Sequence, residues 1–413
     1  MRFGSTDMLS RRVGTWAAVL GAVALGLSVF ASTRNVVSAH ENGADLLGRL
    51  TNLHTLRRTG DIYVPFRVEA FTYPPGAILL FWPILWVPAG ALVSAWIVAS
   101  CVALAGALAG AARYLFRTSF AGLVAVACWG GAISLHVFPA LAECLAWGQV
   151  GMFLLCACTL DWLIVRGRGR GVLVGLATAL KIYPGVFIVA WLWRRQWREA
   201  LTGLASAVVV TGMGCALWPR SAATYFSKVV FGGAEIAKFT GGVVGSHSSE
   251  VVNGNSVAAL LERTPFSHGS LSPFVVLSVS ALVLVFGFIA ARRVWRKGHE
   301  LSALIVLLIV SVIAAPVAWD HYFVFAPLLM LVPFECGWRS LLPRVSVAAG
   351  LLMMVPWYHD RVAGPGNWLS GWVSAVNIFT ARNALVLLCL GVVAAAYFDK
   401  SPATGGVVGE CSA

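Results

Sequence analysis

The sequence predicts an all-α polytopic membrane protein, and three observations carry that prediction. Hydrophobic residues make up 59% of the 413-residue chain and charged residues only 11%. A soluble globular protein carries roughly 25% charged residues, so this chain lacks the charge to cover a water-facing surface. The mean hydropathy of +0.82 excludes a disordered chain, which would be polar and highly charged. Apolar runs near the ~20 residues needed to cross a hydrocarbon core recur from end to end. The expected architecture is a single integral membrane domain over residues 1–413 with about 10–12 membrane elements, short and broken helices among them. The net charge of +13 would point to nucleic acid in a soluble protein. Here the basic residues flank apolar spans, as the positive-inside rule requires, and no basic patch interleaved with aromatics stands on a soluble module. The nine Cys include no CxxC pair, so neither a zinc site nor a disulfide framework is indicated.

The first element follows Arg2, Arg11 and Arg12 and runs from Gly14 to Ala31. It reads as an uncleaved span rather than a signal peptide. Residues 32–73 form a first outer loop that carries Asp45, Asp61 and Glu69. Within it, Leu46, Leu47, Leu50, Leu53 and Leu56 predict an amphipathic helix lying on the membrane surface. Pro83, Pro88 and Gly90 break the apolar run that follows, giving a short element near 76–86 and a full span near 89–112. Further spans are expected near 119–138, 149–165, 199–218, 273–291, 301–317, 320–335, 344–357 and 383–398. A second long outer loop covers 219–272. The stretch 171–193 has basic residues at both ends (Arg166, Arg168 and Arg170; Arg194, Arg195 and Arg198), so both ends are expected in the cytoplasm. Lys181 and Pro184 in its middle predict two half-helices that dip into the membrane and meet at Lys181-Ile182-Tyr183-Pro184, a break tolerated only where protein or water satisfies the backbone. In this layout both termini are cytoplasmic, and 10 of the 17 acids and all His but His299 gather toward the outer side.

Several polar groups stand at that outer face. Asp45, on the loop helix, has the chemistry of a general base for a hydroxyl; a solvated loop acid is the ordinary alternative. Asp61 precedes Tyr63 and Pro65 and reads as a turn residue. Gln149, in Trp147-Gly148-Gln149, is placed to bind a sugar hydroxyl or to cap a span. Asp161 is costly in hydrocarbon and, close to Arg166, is expected to snorkel or to pair with it. Lys181 is an intramembrane cation, which by default marks function or a buried pair, and a lipid-linked phosphate is its natural partner. Trp319-Asp320-His321-Tyr322 stands at the mouth of another span, where His321 has the chemistry to hold a phosphate or a sugar, oriented by Asp320. An aromatic belt with ordinary polar neighbours is the alternative there. Asn253-Gly254-Asn255-Ser256 adds a weaker polar site.

The order of these features is more specific than any one of them. An outer-loop Asp, Tyr73-Pro74-Pro75 opening the next element, Gly148-Gln149 at a span mouth, a Gly-rich half-helix ending in Lys181-x-x-Pro184 before paired Arg, Gly254-Asn255-Ser256 and Trp319-Asp320-His321-Tyr322 follow one another. From about Gly43 to Tyr322 the chain resembles the family-87 glycosyltransferases of the GT-C superfamily, polyprenyl-phosphate-mannose-dependent α-mannosyltransferases and related arabinofuranosyltransferases. It departs from their pattern after Asp45, where Leu46-Leu47-Gly48 lacks an aromatic, at Gly148-Gln149-Val150-Gly151, at the shortened Gly254-Asn255-Ser256, and at Tyr322 in place of a second His.

The resemblance implies a polyprenyl-phosphate mannose donor, a lipid or glycan acceptor, and an active site on the extracytoplasmic face of the cell membrane. The alternative sugar is arabinose. It assigns Asp45 as the base of an inverting transfer, Lys181 and His321 to the donor phosphate, and Gln149, Asp320, Tyr73 and Asn255 to the sugar or acceptor. No cofactor or metal is required on this reading, because no clustered ligand set appears in the sequence, although a lone divalent ion on Asp45 or Asp61 stays open. A polytopic lipid or sugar transporter is the competing class. It should show repeated broken helices at matching positions in two halves, and the two long loops have unlike sequences.

Overall fold

The computed structural model describes residues 4–38, 42–63, 71–116, 118–230, 254–262, 273–315, 318–355 and 368–401. Glu69, Asn253 and most of the 219–272 loop lie outside them. Every regular element among the described residues is helical. The chain divides into two compact units, Met1–Glu250 and Val251–Ala413.

The first unit opens with α1 (Gly4–Ser38) and α2 (Ala44–Thr59). Then come α3 (Pro75–Phe81), continued by a 3₁₀ turn over Trp82–Trp86, and α4 (Ala89–Leu115). Next are α5 (Phe120–Val137), α6 (Pro139–Ala146) and α7 (Gly151–Leu163). The unit continues with α8 (Val172–Leu180), α9 (Gly185–Trp193), α10 (Trp197–Leu217) and the short α11 (Pro219–Thr224), which a π-helical segment over Tyr225–Val230 follows. The second unit holds α12 (Val257–Glu262), α13 (Pro273–Trp295) and α14 (Glu300–Ile313). Its remaining helices are α15 (Ala326–Leu329), α16 (Val332–Cys336), α17 (Leu341–Met353) and α18 (Trp368–Tyr397).

Five of these helices are long and apolar enough to cross a membrane: Val13–Ser38 within α1, α4, α5, α10 and Phe274–Trp295 within α13. Their outer faces are apolar and uncovered, for example Trp16, Leu20, Leu27 and Phe30 on α1 and Leu277, Leu282 and Val285 on α13. Apolar surface on that scale belongs against lipid rather than water. The protein is a multi-pass membrane protein. By contrast, α14 is buried on every side from Leu301 to Ile313 and forms the core of its unit.

The expected breaks appear. The 76–86 element is α3 with its 3₁₀ extension. Helix α8 ends at Leu180, Lys181 adopts extended backbone (φ −151°, ψ 128°), and α9 restarts after Pro184. Each half-helix has 9 residues, or about 13 Å at 1.5 Å per residue, close to half of a ~30 Å hydrocarbon core. Two elements differ from expectation. The 320–335 stretch is not one span but a 3₁₀ turn at Asp320–Tyr322 followed by α15 and α16, because Pro327 and Pro333 each remove a helix donor and clash with the preceding turn. The 149–165 span is a 13-residue helix, about 20 Å long at 1.5 Å per residue, bent by 118° from α6.

Asp161 also differs. Instead of pairing with Arg166, its fully buried carboxylate accepts hydrogen bonds from the amides of Gly171 (2.7 Å) and Val174 (2.8 Å). It caps α8, satisfying donors that the first turn of a helix leaves open. Gly171 sits at φ +106°, and a Cβ there would meet the carbonyl oxygen of Glu199 at 2.4 Å. Only glycine fits both conditions. Aromatic packing fastens α9 to α7: Trp162 stacks on Trp191 at 5.7 Å and meets Phe187 edge-on at 5.5 Å.

Candidate active site

In the first unit, α2 is held against the turn between α6 and α7. The Gly43 amide donates to the Ala146 carbonyl at 2.8 Å. Gly148, at φ +68°, lies where any Cβ would come within 2.6 Å of Leu46, so the tight turn before Gln149 is what admits α2. Leu46, Arg49, Asn52, Leu53 and Leu56 form the buried face of α2. On the other side, the Tyr63 hydroxyl donates to the Tyr73 carbonyl and fixes the backbone just ahead of α3.

This packing brings Asp45, Tyr73, Gln149 and Lys181 together and adds Arg49, which sequence reasoning did not single out. Asp45 Oδ2 accepts hydrogen bonds from Gln149 Nε2 and from Arg49 Nη2, the latter at 3.3 Å. Both contacts fall on one oxygen, which leaves Oδ1 to receive a proton, and the side chain remains 21% exposed. Arg49 Nη2 also donates to the Tyr73 hydroxyl at 2.7 Å and to Gln149 Oε1 at 3.4 Å. The Tyr73 hydroxyl in turn donates to Gln149 Oε1 at 3.4 Å. The Gln149 carbonyl accepts from Trp96 Nε1 at 3.3 Å. Lys181 Nζ stands 5.7 Å from the centroid of the Tyr73 ring and the Arg49 guanidinium 5.0 Å from it. Arg49, Tyr73 and Gln149 are buried. Among these five side chains there are two cations and one carboxylate.

Arg49 was legible in principle. Residues 46, 49, 53 and 56 recur at helical spacing, so an arginine interrupts a leucine stripe four residues after an aspartate. Asp61 behaves as the turn residue its context implies: Oδ1 accepts from the Tyr63 amide at 3.0 Å and Oδ2 from the Thr224 hydroxyl at 2.6 Å.

In the second unit, Asn255, Asp320 and His321 come together. The Asn255 amide group donates to Asp320 Oδ1, and its backbone N–H donates to the Ala318 carbonyl at 2.6 Å. Ser256 Oγ caps α12 by accepting from the Ala259 amide at 3.1 Å. His321 packs edge-on against Tyr322, with ring centroids 4.9 Å apart. All three site residues are buried.

Elsewhere in this unit, His299, Glu335 and Cys336 place potential ligand atoms within 4.8 Å of one another. Their geometry is that of a helix cap. The Glu335 carboxylate accepts from the amides of Leu301 and Ser302, each at 2.8 Å, and from the Ser302 hydroxyl at 2.6 Å. The positive end of α14 and nearby Lys297 both disfavour a cation there.

A sequence model of glycosyltransferase family 87 matches residues 71–319. The chain belongs to glycosyltransferase family 87. The matched region starts just before Tyr73 and runs through Gln149, Lys181 and Asn255 to Trp319. This family-87 protein is similar to a polyprenol-phosphate-mannose-dependent α-(1-2)-phosphatidylinositol mannoside mannosyltransferase of Mycobacterium tuberculosis, 29% identical over 332 residues, 75% of each chain. It is also similar to polyprenol-phosphate-mannose-dependent α-(1-2)-phosphatidylinositol pentamannoside mannosyltransferases. The one from Mycobacterium tuberculosis is 24% identical over 73% of this chain and 67% of its own. The one from Mycolicibacterium smegmatis is 25% identical over 72% and 69%. The family-87 protein is therefore a glycosyltransferase of the membrane, and the cluster around Asp45 is its candidate active site.

Proposed function

We propose that the protein moves mannose from a polyprenyl-phosphate donor to a hydroxyl of a lipid or glycan acceptor, at the outer face of the cell membrane. The observation that carries this reading is the Asp45 cluster: one partly exposed carboxylate, oriented through Oδ2, beside two cations. The names of the relatives support the donor, and the phosphatidylinositol mannosides in those names make a glycolipid acceptor the first to try.

In the proposed reaction Asp45 Oδ1 takes the proton of the acceptor hydroxyl as its oxygen attacks the anomeric carbon of the donor. The bond to the phosphate oxygen breaks on the opposite side, so a β-donor gives an α-product in one displacement. A double displacement would require a second, nucleophilic carboxylate within about 5 Å of the first, and the neighbours of Asp45 among the described residues are Arg49 and Gln149. Lys181 in the first unit is assigned to the departing phosphate, where positive charge counters the negative charge developing on it; His321 in the second unit is the other phosphate candidate. Asp320, Asn255, Gln149 and Tyr73 are assigned to sugar and acceptor hydroxyls, with Gln149 also setting the angle of the Asp45 carboxylate.

The test is transfer from polyprenyl phosphate [¹⁴C]mannose by the purified protein in lipid vesicles, with phosphatidylinositol mannosides as acceptors and polyprenyl phosphate arabinose as the competing donor. Mannosyl product that is resistant to β-mannosidase and sensitive to α-mannosidase is the expected result. Transfer of arabinose alone, or donor translocation without transfer, would overturn the reading.

A further inference from the structure

A cleft of about 350 Å³ opens at the surface of the first unit, between the end of α10 and the 3₁₀ turn that follows α3. Leu79, Trp82, Pro83, Trp86, Leu217 and Trp218 line it. The volume falls in the range of small-molecule sites, yet no lining residue is charged. The Trp82 and Trp218 rings lean together at 5.2 Å, and Trp86 and Leu217 are exposed. Three tryptophans where α10 ends mark the interfacial level of a bilayer, and such walls suit an aliphatic chain.

The rim beside this cleft is cationic. Arg220 follows Trp218 by two residues, and its Nη1 donates to the Thr59 carbonyl at 3.2 Å, tying the start of α11 to the end of α2. The Ile62 amide donates to Ser221 Oγ at 3.0 Å and makes the same connection. Arg57 and Arg58 lie in the last turn of α2. All three arginines are exposed, and none pairs with a carboxylate among the described residues. Asp61, nearby in the chain, is engaged by Tyr63 and Thr224. The three belong to segments assigned to the outer side, where the positive-inside rule gives a cation no reason to stand. The dipole of α2 favours Arg57 and Arg58, but Arg220 opens α11, the end of a helix that disfavours a cation.

We propose that the cleft and its arginines hold the lipid end of the acceptor. An acyl chain lies between the 3₁₀ turn and α10, and the phosphodiester of the headgroup sits at Arg57, Arg58 and Arg220. This rests on the glycolipid acceptor reading given above. Distance separates acceptor from donor. The donor phosphate is bonded to the sugar that is transferred, so it must lie within one sugar ring of the reacting carbon. Arg57 stands about 18 Å along α2 from Asp45, at 1.5 Å per residue, too far to hold that phosphate. An acceptor phosphate is joined to the attacking hydroxyl through its glycan, and a gap of that length takes several sugar rings.

The experiment uses the full chain in vesicles with two acceptors, an intact phosphatidylinositol mannoside and its deacylated glycerophospho form. Trp82→Ala combined with Trp218→Ala should raise KM for the intact acceptor about tenfold, the scale of a lost aromatic anchor. KM for the deacylated acceptor, which has no chain to place, and donor KM should stay within about twofold. Arg57→Gln, Arg58→Gln and Arg220→Gln together should raise KM for both acceptors, roughly fivefold per charge removed at low salt. That difference should narrow at high salt, because exposed charges are screened. Unchanged acceptor KM in both variants would overturn the proposal. So would a rise in donor KM in the tryptophan variant, which would place the prenyl chain of the donor in the cleft. If the tryptophan pair does not accumulate, Trp86→Ala decides, at a side chain 76% exposed: a several-fold rise in KM for the intact acceptor alone supports the site, and no change refutes it. Binding is also read without transfer, as tryptophan quenching by a trace of brominated-acyl phosphatidylinositol against brominated-acyl phosphatidylcholine. Stronger quenching by the former, lost in the arginine variant, supports the site, and equal quenching refutes it. A wild type that transfers mannose to no phosphatidylinositol mannoside counts against the acceptor reading, and the quenching then decides the site by itself.

Discussion

Replacing Asp45 by Asn separates the chemistry of the site from its electrostatics, because the two should respond in opposite directions. The Asn side chain keeps a carbonyl oxygen that can accept from Arg49 and Gln149 as Asp45 Oδ2 does, so the local packing has a route to survive. It cannot take a proton at neutral pH. Loss of a general base costs roughly 10²- to 10⁴-fold in turnover, or about 2.7–5.4 kcal/mol of barrier. The same change removes the carboxylate that pairs with Arg49 and lies within electrostatic reach of Lys181. A unit charge about 10 Å from the donor phosphate, at an effective dielectric near 20, contributes roughly 1–2 kcal/mol, which is about 5- to 30-fold in affinity. Asp45→Asn should therefore lower kcat at least ~10²-fold while donor KM falls or holds. The assay is mannosyl transfer in vesicles with kcat and donor KM determined separately, and Asp61→Asn as the control. Asp61 is tied to Tyr63 and Thr224, so its loss should appear as reduced thermal stability with kcat largely retained. A kcat for Asp45→Asn within threefold of wild type would remove Asp45 from the mechanism and make Glu69 and Asp320 the next bases to test. Equal kcat losses at Asp45 and Asp61 would refute the separation of roles.

Asp161→Ala should destabilise the protein in detergent by roughly 2–5 kcal/mol, because two buried amide donors at the start of α8 lose their acceptor; thermal unfolding measures it. Gly214→Val should cost about 1–3 kcal/mol by overpacking, since a Cβ there meets the Pro75 carbonyl oxygen at 2.3 Å, whereas Gly212→Ala, with nothing within 4 Å, should be nearly silent in the same melt. At the end of α18, burial alone would push the Asp399 carboxyl up, but hydrogen bonds from Ser401, Lys297 and Ser340 outweigh it and hold it below its ordinary value. A lowered folded value means stability that is complete above the ordinary carboxylate range and lost as pH falls through the lowered value. The stability gap between wild type and Lys297→Met should accordingly be full above about pH 4–5 and narrow in stronger acid. For topology, a cysteine at Thr51 should be labelled by an impermeant maleimide in intact cells and one at Arg168 only after permeabilisation; the reverse pattern would invert the assignment of faces.

Much of the site was legible because its residues are anomalous for where they sit. Lys181 inside an apolar stretch and Pro184 three residues later could only mean a broken helix, and the backbone at Lys181 is extended as that requires. Gln149 after a glycine at a span mouth, and Asp45 on a leucine-rich helix, were visible as polar groups at an apolar boundary. Arg49 showed only as an interruption of the leucine stripe and was passed over, because an arginine on an amphipathic helix is ordinarily part of its wet face. What reverses that expectation is Gly148, a residue a hundred positions away, whose lack of a side chain lets α2 sink against the α6–α7 turn. Asp161 was misread for a related reason. Sequence proximity favoured Arg166, but two correctly aimed amides offer a buried carboxylate more than one flexible, solvated guanidinium does.

The cap at Asp161 has a mechanical meaning. Helix α7 begins two residues after Gln149, and α8 ends one residue before Lys181. The two helices form the arms of a pair of calipers whose pivot is the Asp161 carboxylate gripping the first turn of α8. The gap between the tips, which is the gap between the group proposed to steer the base and the group proposed to meet the phosphate, is set at that pivot, more than ten ångströms away along each arm. A slackened pivot would leave every residue at the tips in place chemically and still misalign them. On the proposed mechanism, catalysis thus depends on a carboxylate that never meets the substrate.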